Sequence, residues 1–309
     1  IGAYGNAVVR TPNLDRLARE GMRLNRFFIA GFPCSPSRAS ILTGLHPQTH
    51  GVVINGVKLD ESLPTFASEL AKIGYRTCWM GKWHLGGPYA ISKSAGSLPS
   101  IKKLEGRPPG EKMPQNGFVE GVTPSSDYVQ YLAKLGLLEP RPGKRVRGGH
   151  HTVIEDGHSV IPQEHCVEAF LTSRAIEYLR ARAEDGQAFC LCVSYPGPHR
   201  PKTPPQPWDR MYNPDELPLP ASVDDPMTKA PMSHRQFRWR MYGIDLPKER
   251  ERLKKQIVFE NELWDLLDRP AWTKREYREL MAHYYGFVSY IDAQVGRLLE
   301  AVDELRLAE

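Results

Sequence analysis

The sequence has no apolar run long enough to cross a membrane as a helix, so no membrane segment is expected. It has no internal repeat and no heptad array, which removes solenoid and coiled-coil architectures. Cysteine is sparse and odd in number: with five in 309 residues, one stays unpaired even if the other four form disulfides, and Cys34 is the natural candidate. An excess of charge of one sign is also lacking. The 41 basic and 36 acidic residues leave a net +5 spread along the chain, which suits an anionic substrate and gives no reason to expect nucleic acid. Mixed runs such as Lys248-Glu249-Arg250-Glu251-Arg252 read as solvated helix surface. No signal peptide is visible, and the chain starts at Ile1 without an initiator methionine, as if inside a domain. What is present, 40% hydrophobic and 25% charged residues, is enough for one large α/β domain with a sizeable core.

The order of elements supports that class. Thr11 caps a helix with Pro12 at its first position, Leu14, Leu17 and Ala18 on one face, and Gly21 as its stop. Leu24 to Ile29 is apolar and aromatic enough for a short strand. Ser62-Leu63-Pro64-Thr65 opens a second helix, with Phe66, Leu70 and Ile73 facing inward and Gly74 ending it, and Tyr75 to Met80 follows as a strand. A helix over 164–182 feeds a strand over 188–195. Helix, glycine and strand in succession build a mostly parallel mixed sheet between helices. Cys190 and Cys192 point the same way in that last strand, where they pack rather than ligate metal. A final helix covers 274–305, with Gly286 and Gly296 as bend points. Two long segments, 87–157 and 196–246, are rich in Gly, Pro and polar residues and read as irregular insertions framing a pocket.

One nucleophile motif stands out. Cys34-Ser35-Pro36-Ser37-Arg38 continues through Ala39-Ser40-Ile41-Leu42-Thr43-Gly44. With Ser35 as N-cap and Pro36 as first helical residue, the amides of the next turn would point at the Cys34 side chain, at the end of a helix that attracts anions. Arg38 adds a permanent charge with a planar fork of donors suited to sulfate, phosphate or carboxylate. For a lone Cys-x-Pro the bland alternative is a buried cysteine ahead of an ordinary helix. Further chemistry follows the expected strands. In Gly81-Lys82-Trp83-His84-Leu85-Gly86, extended backbone would turn Lys82 and His84 to one side, toward the crevice where α/β sheets bind ligands. Pro196-Gly197-Pro198-His199-Arg200-Pro201 follows the next strand, and His199 there either fixes turn geometry or works on a substrate.

The Cys34 string resembles the sulfatase signature, in which Cys-x-Pro-x-Arg followed by Leu-Thr-Gly marks a cysteine that a formylglycine-generating enzyme oxidises to formylglycine. The runs from Gly74 to Gly86, Pro196 to Pro201, Leu45 to Val52 and Tyr284 to Asp292 resemble further sulfatase segments. The resemblance implies an alkaline phosphatase-like α/β fold and hydrolysis of sulfate monoesters, of a carbohydrate or other small organic sulfate. It implies Cys34 as the formylglycine nucleophile, whose hydrated form attacks sulfur with one hydroxyl and expels sulfate with the second, with Arg38, Lys82 and His84 holding the anion and nucleophile. It implies that His199 contacts the sulfate and protonates the leaving alkoxide. It also implies calcium, or magnesium, bound by Cys34 as formylglycine and by two carboxylate pairs.

Neither pair is evident, so the chain resembles the middle of a sulfatase. The remaining ligands are expected outside the chain, and the isolated segment is expected not to turn over sulfate esters. Asp292 is read as structural, in keeping with the family. His46 and His50 share one polar loop without an acidic partner, which is weak evidence for zinc. His150, His151 and His158 fall in the first insertion and carry no role, and Lys202 is left unassigned. Two alternatives stand beside the sulfatase: a phosphonate monoester or phosphodiester hydrolase of the same superfamily, and a non-catalytic glycan-binding relative whose cysteine stays a thiol. Export to a periplasm, a lysosome or the exterior is what the family implies.

Overall fold

The computed structural model describes residues 1–86, 116–137, 154–155, 158–199, 202–225 and 273–308. The chain divides into two compact units, Ile1–Asp209 with Tyr284–Glu309, and Arg210–His283. The helices, in chain order, are α1 (Pro12–Glu20), α2 (Cys34–Thr43), the single turn α3 (Pro47–His50), α4 (Phe66–Lys72), α5 (Val129–Lys134), α6 (Val167–Asp185) and α7 (Lys274–Glu304). The strands are β1 (Arg76–Gly81), β2 (Glu120–Val122), β3 (Ile154–Glu155), β4 (His158–Ser159) and β5 (Phe189–Ser194). β1 is central in a parallel sheet of order β2-β1-β5, with Cys78 opposite Glu120 and Leu191, while β3 and β4 form a small antiparallel pair.

The central strand β1 is buried on both faces, as a strand inside a parallel sheet requires. Alternation along β1 sends Cys78 and Met80 into one cluster, with Leu171 and Phe170 of α6, Leu132 of α5 and Tyr128 just before it, and Phe287 and Tyr290 of α7. Trp79 points the other way, into a cluster with Ala39 and Leu42 of α2, Val52, Leu59, Leu85 and Phe118. β5 repeats the division, sending Leu191 and Val193 to the first cluster and Cys192 to the second. Each fully buried leucine or phenylalanine of these clusters contributes roughly 1.5–3 kcal/mol relative to exposure. The second cluster seats α2 against the end of β1, and so fixes where the Cys34 turn stands.

Several expectations are corrected. Leu24 to Ile29 is not a strand: its backbone joins no ladder, and Phe27 and Phe28 are 73% and 82% exposed. Ile73 caps α4 and is exposed rather than inward. β1 starts one residue later than expected and runs through Gly81. Part of the segment read as an irregular insertion at 87–157 is ordered, since it supplies β2 and α5. α7 is continuous through both glycines. They mark close approaches instead: a Cβ at Gly286 would stand 2.1 Å from the Trp208 carbonyl oxygen, and one at Gly296 would stand 2.7 Å from the Asn13 side chain.

The second unit contains the short turns Pro214–Glu216 and Ala221–Asp224. Within it Arg278 Nε donates to the Leu217 carbonyl at 3.0 Å, and Lys274 pairs with Asp224 at 2.7 Å.

Candidate active site

α2 begins at Cys34 itself, with Pro33 in the N-cap position and no side-chain cap. Ser35 is therefore inside the helix, and its bonds explain the shift. Its hydroxyl donates to the His84 carbonyl at 2.5 Å and its amide donates to Asn55 Oδ1 at 2.9 Å. Pro36 has no amide hydrogen, and the Ser37 amide closes onto the Pro33 carbonyl at 3.4 Å. The amides expected to aim at the Cys34 side chain are thus engaged elsewhere. Positive charge at this turn comes instead from side chains.

Arg38 lies one helical turn beyond Cys34. Its Nη1 donates to the Lys82 carbonyl at 2.8 Å and to Ser194 Oγ at 3.1 Å, tying α2 to the ends of β1 and β5. Burial lowers the Arg38 pKa, and negative charge on Cys34 opposes that shift. Lys82 is also lowered, first by burial and then by Arg38, again with Cys34 opposing. Two cations therefore crowd one thiol in a partly dry site, an arrangement that favours an anion between them.

The sheet ends where the Lys82 amide donates to the Ser194 carbonyl at 2.9 Å. Extended backbone does not continue to His84, which has φ 62° in the left-handed region. Lys82 and His84 therefore do not reach the site by strand alternation. The chain is drawn across α2 because the Lys82 and His84 carbonyls accept from Arg38 and Ser35. Burial, then Lys82, Arg38 and His199, hold His84 below the ordinary histidine range. Its Nδ1 is buried without a hydrogen-bond partner among the described residues, an atom that a ligand oxygen would satisfy. His199 is exposed on the turn after β5, where its amide donates to the Pro196 carbonyl at 3.2 Å. Cys34, Arg38, Lys82, His84 and His199 thus share one electrostatic neighbourhood at the carboxyl ends of β1 and β5.

Other candidates resolve as structural. His50 is buried, its Nδ1 accepts from the Val52 amide at 3.1 Å, and its Nε2 meets Ser40 Oγ at 3.0 Å. Burial lowers its pKa, and it joins α3 to α2. Asp292 accepts from the Leu14 amide at 2.8 Å and the Asn13 amide at 3.2 Å, capping α1. Thr11 does not provide that cap: its hydroxyl accepts from Gly2 and donates to Asp15. Burial, then Cys190, pushes the Cys192 thiol up to about 12. Lys202 Nζ lies 5.0 Å from the Tyr284 ring centroid. His150, His151, Arg200 and Pro201 lie outside the described residues. Among the described residues no group of three or more His, Cys, Asp or Glu could hold a metal ion, so no such ligand set for the implied calcium or magnesium is found there. Asn55 and Ser194 contribute directly to the geometry, yet neither stands in a motif that singles it out.

The family model described as Sulfatase matches residues 1–309. The Multifunctional alkaline phosphatase superfamily protein PehA of Trinickia caryophylli is 30% identical over 306 residues, covering 96% of this chain and 54% of that protein. An arylsulfatase of Clostridium perfringens is 28% identical over 316 residues, covering 98% of this chain and 56% of its own length. Among solved structures, the phosphonate monoester hydrolase SpPMH of Silicibacter pomeroyi superposes with TM-score 0.65 at 26% identity, over 96% of this chain and 55% of its own. The chain spans about half the length of the curated relatives it matches.

Proposed function

This chain belongs to the sulfatase family, with an alkaline phosphatase-like α/β fold, and from that premise we propose that it forms part of the catalytic domain of a sulfate monoester hydrolase, acting on a carbohydrate or other small organic sulfate. What supports this reading is the start of α2 at Cys34, tied to the Lys82–His84 loop by the bonds from Arg38 to the Lys82 carbonyl and from Ser35 to the His84 carbonyl, with the unpartnered Nδ1 of His84 in that loop.

Converted to formylglycine by a generating enzyme, Cys34 would supply a hydrated aldehyde able to take up and release a sulfuryl group. The chain's other residues bind and orient. Arg38 and Lys82 neutralise the ester's oxygens, and burial makes their charges count for more than in water. His84, held neutral, offers or accepts one hydrogen bond at the nucleophile or the sulfate. His199, more exposed, donates a proton to the departing alkoxide.

The test uses the whole protein that carries this chain, made beside a competent maturation system. Mass spectrometry of the tryptic peptide Phe27–Arg38 is expected to show conversion, and 4-nitrophenyl sulfate is expected to be hydrolysed. An intact thiol without turnover sinks the reading and leaves the glycan-binding alternative.

A second reading has its own support. PehA is described as multifunctional, and SpPMH is a phosphonate monoester hydrolase. The cationic pair would serve a phosphoryl group as well as a sulfuryl group. Turnover of 4-nitrophenyl phenylphosphonate in excess of the sulfate would favour that assignment.

A further inference from the structure

We propose that Glu168 is a positioning residue for His199. Glu168 lies in the first turn of α6 and is 2% exposed. Its Oε1 accepts from the Gly197 amide at 3.0 Å, two residues before His199. Pro196 and Pro198 have no amide hydrogen, so in the run 196–198 only Gly197 can donate from the main chain. Glu168 accepts that one bond.

The approach is close. A Cβ at Gly197 would stand 2.8 Å from Glu168 Oε1 and 2.7 Å from the Phe287 ring. One turn along α6, Thr172 Oγ1 lies 2.6 Å from the Tyr195 hydroxyl and donates to the Glu168 carbonyl at 2.8 Å. The start of α6 therefore grips the chain at Tyr195 and at Gly197, either side of Pro196. His199 follows two residues later, on the turn its own amide closes onto Pro196.

A buried acid is an expensive way to hold one amide, because desolvation penalises its charge. Burial pushes the Glu168 carboxyl up to about 7, and among the described residues no basic side chain offsets this. Among the described residues, the titratable groups facing it are Cys166, Tyr128, Tyr195 and Tyr290, all acids held neutral by burial. Glu168 thus sets the Gly197 tether from inside the core, without reaching the substrate.

The consequence for turnover rests on the role proposed for His199, whereas the positioning itself can be read without turnover. In protein with Cys34 unconverted, the His199 ring Cε1–H resonance is assigned by its loss in His199→Asn and followed through a pH titration. Glu168→Ala is expected to move that resonance and its midpoint, and Glu168→Gln, which keeps the acceptor, to leave both as in the wild type. Glu168→Asp, which shortens the reach, serves as a second probe should the alanine variant not fold, and is expected to move them too. In the converted enzyme Glu168→Ala should lower kcat for phenyl sulfate about tenfold more than for 4-nitrophenyl sulfate at unchanged KM, with recovery in Glu168→Gln. A wild-type His199 titration in every folded Ala or Asp variant overturns the proposal. A wild-type enzyme that hydrolyses no ester, while the Glu168→Ala or Glu168→Asp variant still moves the His199 resonance, overturns the hydrolase reading alone.

Discussion

Asn55 Oδ1 accepts the Ser35 amide at 2.9 Å, so a loop twenty residues downstream holds the peptide immediately after Cys34. Ser35 is fully buried, and removing the acceptor would leave its amide without a partner. Asn55→Ala is expected to lower stability by about 1–3 kcal/mol, the cost of one buried unsatisfied donor. Asn55→Asp retains an acceptor and should recover most of that loss. Urea unfolding of both variants checks this, and an alanine variant as stable as the wild type would remove Asn55 from the account.

Arg38 meets the Lys82 carbonyl and Ser194 Oγ through one nitrogen. Lysine would keep the charge but not the planar fork. Losing such charge-assisted bonds costs roughly 1.5–3 kcal/mol, so Arg38→Lys should reduce kcat/KM for a sulfate ester by about 10- to 100-fold. Ser194→Ala removes only one acceptor and should have the smaller effect. Steady-state kinetics on both variants decide the order, and a Ser194→Ala defect larger than that of Arg38→Lys would contradict it.

Short ordered motifs are what make Cys34 and Arg38, Lys82 and His84, and the Pro-His turn of His199 stand out as candidates in the sequence. Asn55, Ser194 and Glu168 do not stand out, because each acts through a partner distant in sequence and carries no local pattern. The helix starts at Cys34, two residues earlier than the Ser35-Pro36 capping pattern predicts. Ser35 and Pro36 satisfy local capping preferences, but tertiary bonds to Asn55 and the His84 carbonyl draw Ser35 into the helix. Leu24 to Ile29 has strand composition, yet a strand also needs a neighbour to pair with, which composition does not report. Asp292 was read correctly as structural. That α1 takes its cap from Asp292, not from Thr11, depends on a contact between residues nearly the whole chain apart.

His84 links stability to pH. Burial, reinforced by Lys82, Arg38 and His199, keeps its pKa below the unfolded value of 6.5. The unfolded chain therefore binds a proton there that the native state resists, and the stability this group contributes is lost as pH falls below that value. His84→Asn should flatten the acid limb of the stability profile. Unfolding midpoints between neutral and mildly acid pH test this, and an unchanged acid limb would show that His84 does not titrate as the geometry requires.

Glu168 acts in the opposite sense over an overlapping range, which makes the two separable. Its folded value of about 7 lies above the ordinary 4.5, so between those pH values the native state keeps a proton that the unfolded chain has released. Its contribution is therefore most favourable at low pH and declines as pH rises, until both states are ionised above about 7 and the desolvation penalty is complete. At 1.36 kcal/mol per tenfold change in proton affinity, that penalty is about 3 kcal/mol. Glutamine keeps an oxygen for the Gly197 amide and is neutral throughout. Glu168→Gln should therefore match the wild type in stability near pH 4.5 and exceed it by about 3 kcal/mol at pH 8, with the difference growing steadily in between. Urea unfolding of both proteins across that range measures it directly, and a difference independent of pH would mean that the carboxyl is ionised alike in both states.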